Sequence, residues 1–307
     1  MPAIQVHDVH KSYGDVHAVR GVSFDVAHGE VFCLLGPNGA GKTTIAEIVE
    51  GHRVPTSGTV SVIGHDPGLG DRALRDRIGV VLQSSGIQEE LTVGELLEMH
   101  GRWYSRSLPP GELIDLVELD AKRDTRAGDL SGGQRRRLDL ALGLVGDPDV
   151  LFLDEPTTGF DPHARRSAWS TIRSLCSTGK TVFLTTHFMD EAQYLADRVA
   201  VMVDGRIVAS GPPEAIGGRD ELPTEIRFVL AGGLAPSDLP DLPGCAVSTE
   251  RGEVLITTSQ GIAATHAITG WALERAIELA RFSVSQPTLE DVYLALTEAT
   301  TPEEAAR

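Results

Sequence analysis

The stretch Gly36-Pro37-Asn38-Gly39-Ala40-Gly41-Lys42-Thr43-Thr44 constrains this 307-residue chain more than any other. Its first eight positions satisfy the pattern GxxxxGK[ST], and the neighbours give that pattern meaning. Val31–Leu35 is a wholly apolar, strand-sized run, and helical spacing begins at Lys42. A strand that feeds a glycine-rich turn and then a helix presents backbone N–H groups at the positive end of the helix, which suits a bound phosphate. By average composition the bare pattern arises by chance in roughly one chain of this length in a hundred, so a merely flexible loop is the weaker reading. Lys42 is placed to neutralise β- and γ-phosphates, and the Thr43 hydroxyl to ligate Mg²⁺.

Two further segments fit such a loop. Val150-Leu151-Phe152-Leu153-Asp154-Glu155 is an apolar strand that ends in two carboxylates. Period-two alternation points their side chains in different directions and so gives them different tasks. Asp154 can act on Mg²⁺ or its water, and Glu155 can face an attacking water as general base. Leu130-Ser131-Gly132-Gly133-Gln134, followed by Arg135-Arg136-Arg137, is a second glycine-rich turn at a helix start. It reads either as an ordinary cap, with Ser131 satisfying backbone N–H groups, or as a second anion site.

The rest of the pattern is an alternation of strands and helices. Strands are predicted at Ile4–His10, Val22–Val26, Thr59–Ile63, Ile78–Leu82, Val182–Thr185 and a hairpin of Val199–Val203 with Arg206–Ser210 about Asp204-Gly205. Thr92 and Glu95 have capping-box spacing, and helical periodicity continues through Leu113–Leu119 and Arg135–Val145. Residues 84–147 are therefore predicted to be a mostly helical insertion. Helices over His163–Thr178 and Met189–Leu195 complete an α/β core with a largely parallel sheet. Beyond Gly211-Pro212-Pro213, strands at Glu225–Leu230, Ala246–Thr249, Glu253–Thr258 and Phe282–Gln286, with helices at 263–279 and Leu289–Leu296, predict a small α+β domain. The division expected is 1–222 and 223–307.

Composition narrows the partners. Against 27 Lys and Arg stand 44 Asp and Glu, a formal charge of -17, which argues against nucleic acid and against polybasic attachment to anionic lipid. No apolar run approaches the roughly 18 residues of a membrane helix, and the first residues lack the basic and apolar regions of a secretory signal. Three scattered cysteines, Cys33, Cys176 and Cys245, suit a reducing compartment and are expected to be buried.

Leu130–Gln134 resembles the signature sequence of the ATP-binding cassette family, and the segments around it are similar to that family across roughly Ile4–Ser210. The resemblance implies a P-loop NTPase core of the RecA-like kind with an antiparallel β-subdomain and a helical subdomain. It also implies ATP and Mg²⁺ as cofactors, and two cassettes paired head to tail. Ser131, Gly132, Gly133 and Gln134 of one cassette would then cap the γ-phosphate held by the loop of the other.

By the same resemblance Tyr13 stacks on adenine, Gln83 reaches Mg²⁺ and the attacking water, Asp161 contacts the partner cassette, and His187 senses the γ-phosphate. Lys42, Gln83, Glu155 and His187 form the catalytic set, and Thr43, Gln83 and Asp154 the metal set. Phe160, where leucine is more usual, and the three arginines after Gln134 are small departures that remove no functional group. With no catalytic position degenerate, two copies of one chain suffice, which implies a homodimer.

Pro287-Thr288-Leu289-Glu290-Asp291-Val292-Tyr293-Leu294 is similar to the end of subunits from bacterial drug-efflux and antibiotic self-protection exporters. The function expected is therefore the ATPase subunit of an exporter of a drug-like or hydrophobic small molecule. It would act on a separate integral-membrane permease at the cytoplasmic face of the membrane. An importer ATPase is the nearest alternative. A soluble ABC ATPase of translation or DNA repair, or a regulatory module without turnover, stands further off.

Overall fold

The computed structural model describes residues 1–82, 86–177, 179–230, 234–250 and 252–300, and divides into two compact units, Met1–Pro213 and Glu214–Arg307.

The first unit opens with β1 (Ile4–Tyr13) and β2 (Val16–Val26), an antiparallel pair. β1 runs three residues past its predicted end, and β2 starts six residues before its own. Alternation breaks in both because the pairing is bulged: Asp8 sits at φ 45° and the register shifts between Val6 and Val9. β3 (Val31–Leu35) leads through the glycine-rich loop into α1 (Lys42–Val49). β4 (Ser57–Val62) returns to β1, closing a three-stranded antiparallel sheet in the order β2-β1-β4. The short α2 (Arg72–Arg75) precedes β5 (Ile78–Val81).

Among the described residues, the α-helices between β5 and the next strand are α3 (Val93–Gly101), α4 (Pro110–Leu116) and α5 (Gly132–Leu144). Thr92 caps α3 in the box anticipated, its hydroxyl accepting from the Glu95 N–H while Glu95 accepts from the Thr92 N–H. β6 (Val150–Asp154), α6 (Pro162–Ser177), β7 (Thr181–Thr186), α7 (Met189–Leu195), β8 (Arg198–Val203) and β9 (Arg206–Gly211) complete the unit. Thr178, the predicted last residue of α6, lies outside the described residues.

The main sheet has the order β5-β6-β7-β3-β8-β9, parallel except for the β8–β9 hairpin. β3 and β6 are buried along their whole length, because both faces of this sheet are covered and no alternation is possible. Phe24 of β2 stacks on Phe32 of β3 with centroids 4.9 Å apart, and Phe32 on Phe183 of β7 at 5.8 Å. This aromatic column joins the antiparallel sheet to the main one in one core and holds the loop after β3 at the sheet's C-terminal edge.

The second unit contains β10 (Thr224–Leu230), β11 (Cys245–Glu250), β12 (Glu253–Thr258), α8 (Gly261–Glu274), β13 (Leu279–Ser285) and α9 (Leu289–Thr300), with an antiparallel sheet ordered β11-β12-β10-β13. α8 stops five residues before its predicted end. Ala276 turns into the left-handed region at φ 53°, and the Ile277 N–H bonds back to Ala272. Ile226, Phe228, Val254 and Ile256 pack against Ala264 and Ile268 of α8. Of the cysteines only Cys33 is buried, in β3. Cys176 and Cys245 are half-buried, contrary to expectation, because each lies at the margin of its element.

Candidate functional site

The loop between β3 and α1 is shaped by close backbone approaches. The Gly36 N–H donates to the Thr186 carbonyl at 3.3 Å, which ties the loop to the end of β7. A Cβ at Gly36 would stand 2.3 Å from the Met202 carbonyl oxygen. At Gly41, where φ is 100°, it would stand 2.4 Å from that of Ala18. No side chain fits either place. Lys42 is 5% exposed, and its ammonium donates to the carbonyls of Gly36 at 2.8 Å and Pro37 at 3.1 Å, within its own loop. Burial lowers its pKa, while the neighbouring Glu155 and Asp154 carboxylates oppose that shift. Asn38, Gly39, Gly41, Lys42, Thr43 and Thr44 line one pocket with Glu155 on its wall. Pro37 and Ala40 close the turn through the Ala40 N–H to Pro37 carbonyl bond at 3.2 Å.

Asp154 ends β6 beside Thr185 of β7, and the Thr185 hydroxyl donates to its carboxylate. The divergence of the two acidic side chains has a stronger cause than pleat alternation: Glu155 lies at φ 48°. For a residue of this size the left-handed region costs on the order of 1–3 kcal/mol unless the surroundings hold it there. Its N–H donates to the Thr185 carbonyl at 3.0 Å and lies 3.3 Å from the Thr185 hydroxyl. Its carboxylate stands 3.0 Å from His187 Nδ1 and accepts from the Thr158 hydroxyl at 3.2 Å. Lys42, Asp154, Glu155 and His187 thus converge at the C-terminal edge of β3, β6 and β7, where open α/β sheets hold ligands. The arrangement can grip an anion with Lys42 and the loop, and set a carboxylate oriented by a histidine beside it.

Other predicted positions lie apart from this group. Gln83 is outside the described residues. Tyr13, 41% exposed at the end of β1, sits between Lys11 and Arg53, whose cationic groups lie 5.4 and 5.1 Å from its ring centroid. It is not among the residues lining the loop's pocket. Ser131 caps α5, its hydroxyl accepting from the Gln134 N–H at 3.3 Å while Gln134 accepts from the Ser131 N–H at 3.0 Å. Ser131 and Gly132 are exposed, and a Cβ at Gly132 or Gly133 would meet nothing within 4 Å. None of Ser131 to Gln134 is among the residues lining the loop's pocket. Asp161 caps α6 by accepting from the N–H groups of His163 and Ala164, both at 2.9 Å, and the Ala164 bond foremost lowers its pKa.

Three functional contacts escaped the sequence reading. Thr185 holds Asp154. Glu191, fully buried, accepts from Thr157 at 2.7 Å and Trp169 at 2.9 Å, and burial raises its pKa. Arg136 turns inward from α5 to the backbone around Glu155. The available signal for Arg136 was a charged residue one turn before Leu140, on the apolar face of a helix.

A family model described as ABC transporter matches residues 19–158, and another, described as ABC transporter domain-containing protein-like, C-terminal domain, matches residues 224–288. A protein of Rhizobium sp. (strain N33) named Nod factor export ATP-binding protein I is 41% identical over 305 residues, covering 96% of this chain and 97% of the relative. This chain belongs to the ABC transporter family. Among solved structures, an ATP binding subunit of an ABC transporter matches with a TM-score of 0.63 at 26% identity, over 69% of this chain and 90% of the other. A dimeric ATP-binding cassette in a post-hydrolysis state, bound to ADP and Pi, matches with a TM-score of 0.62 at 25% identity, over 68% and 98%. As an ABC ATPase, the chain binds ATP and couples its hydrolysis to transport.

Proposed function

We propose that this chain is the ATPase subunit of an exporter, working as a homodimer beneath a separate integral-membrane permease at the cytoplasmic face. The convergence of Lys42 and Glu155 on one pocket, with His187 3.0 Å from Glu155, carries the catalytic part of this reading. Glu155 is the general base toward the attacking water, His187 orients it, and Lys42 meets the β- and γ-phosphates. Mg²⁺ would be held by the Thr43 hydroxyl and the Asp154 carboxylate, with Gln83 as the further ligand. These hard oxygen donors suit it, and when bound it offsets charge on the phosphates. Tyr13 faces the adenine. Ser131 to Gln134 of one copy, with Asp161 nearby, complete the other copy's site, which accounts for an open helix start that its own loop does not use.

Export is supported by the name of the Rhizobium relative, whose likeness runs through both units. A drug-like or hydrophobic cargo is supported by the similarity of Pro287–Leu294 to drug-efflux subunits. Among the described residues no helix is long and apolar enough to cross a membrane. The domain boundary proposed from the sequence, 222/223, lies nine residues beyond the division of the two compact units, Pro213/Glu214. The test is transport: co-expressed with its membrane permease, the chain should drive ATP-dependent accumulation of a hydrophobic dye in inside-out vesicles. ATP-dependent movement only in the opposite sense would replace export with import.

A further inference from the structure

Arg136 is one of three consecutive arginines in α5, yet its side chain is 9% exposed while its neighbours face outward to acidic partners. Its guanidinium spreads over the backbone. Nε donates to the Pro156 carbonyl at 3.0 Å, Nη2 to those of Asp154 and Glu155, both at 3.1 Å, and Nη1 to that of Leu82 at 2.5 Å. Asp139, one turn on, balances the charge from 3.8 Å. Three consecutive carbonyls, centred on the one residue of this strand end with positive φ, are held by one rigid fork of donors.

The need for such a fork follows from the sequence. The peptide before Glu155 is fixed from both sides, through its N–H to Thr185 and its carbonyl to Arg136. The peptide after it joins Glu155 to Pro156, which has no N–H, so only the Glu155 carbonyl can be gripped. Arg136 grips it, together with the Thr158 N–H at 3.3 Å. Without that hold, Glu155 would relax toward an ordinary conformation and swing its carboxylate away from His187 and the loop.

We infer that Arg136 is a positioning residue for hydrolysis: by clamping the carbonyls of 154–156 it keeps Glu155 in the left-handed conformation that aims its carboxylate. This rests on Glu155 being the general base. Lysine keeps the charge but offers its donors from a single nitrogen and cannot span four carbonyls.

The experiment uses the full-length chain carrying Arg136→Lys or Arg136→Gln, each alone and combined with Glu155→Gln. Melting by circular dichroism confirms folding, a fluorescent ATP analogue reports affinity, and single-turnover hydrolysis reports chemistry. Alone, either folded variant should lower the hydrolysis rate by roughly 10–100-fold, the scale of about 1 Å misplacement, with affinity within about threefold of wild type. In the Glu155→Gln background the same change should lower the residual rate by less than about twofold, because the group it positions is already gone. Equal losses in both backgrounds, a rate within twofold of wild type, or a loss confined to affinity would overturn the inference. Near-normal turnover in Glu155→Gln alone would instead remove the base assignment. Should the lysine variant fail to fold, the glutamine variant carries the same comparison.

Discussion

Glu50 caps the C-terminal end of α1, the helix that begins at Lys42, and its side chain is 2% exposed with His52 Nδ1 3.1 Å from one carboxylate oxygen. Burial first, then the negative charges of Asp154 and Glu47, push its pKa from 4.5 to about 8. The folded chain therefore keeps a proton that the unfolded chain releases, and this contribution to stability is fully present below about pH 4.5 and fades as pH rises toward 8. With 1.36 kcal/mol per pKa unit, and the group half ionised at the upper end, the loss amounts to about 4 kcal/mol by pH 8. Glu50→Gln keeps the size of the side chain and cannot ionise. Glu47, His52, Asp71 and Arg75 remain around it in both proteins and cancel in the comparison. In thermal melts followed by circular dichroism from pH 5 to pH 8.5, the wild type should lose Tm relative to the variant by roughly 10 °C across the range, at about 2–4 °C per kcal/mol. Parallel Tm profiles for the two proteins would refute the reasoning and place the Glu50 carboxyl in effective contact with water.

Glu155→Gln preserves a partner for both Thr158 and His187 and removes only the proton acceptor. Turnover should fall about 10²–10⁴-fold while ATP affinity, measured by fluorescence titration, holds. Ser131→Arg, at an exposed helix start, should leave nucleotide binding to the monomer intact and abolish the ATP-dependent dimer seen by light scattering. A dimer in that variant would end the idea of a site completed in trans. Gly36→Ala should cost roughly 1–3 kcal/mol of stability and most ATP binding, since its Cβ would stand 2.3 Å from the Met202 carbonyl oxygen; calorimetry and the same titration read both effects.

Much of the central sheet was legible because its signals are local. The wholly apolar run Val31–Leu35 can only be a strand buried on both faces once a glycine-rich turn and a helix follow it, and it is β3 residue for residue. The Thr92 and Glu95 spacing placed the start of α3 because both halves of a capping box lie within one turn. What the reading missed was set by distant pairing. β2 is more than twice its predicted length because β1 pairs with it through bulges, and a bulge breaks the alternation that would have announced the strand. α8 ends early at Ala276, an alanine in a conformation that sequence cues reserve for glycine or asparagine.

The site divides along the same line. Loop and carboxylates were visible because each lies at the end of a strand, and the parallel order β6-β7-β3 brings those ends together without further information, whereas His187 was picked out only through the family resemblance. The feature that aims them was not visible. Nothing in Asp154-Glu155-Pro156 announces a left-handed glutamate, and nothing in a run of three arginines says that the middle one turns inward. The two facts explain each other only in three dimensions. A proline after the glutamate removes the donor that would otherwise help fix the turn, and an arginine from a helix 18 to 20 residues away holds the carbonyls instead. The same geometry leaves room for both readings of Ser131. As a cap its oxygen accepts from the Gln134 N–H, which leaves the hydroxyl proton to donate, so capping its own helix and meeting a partner's phosphate do not compete.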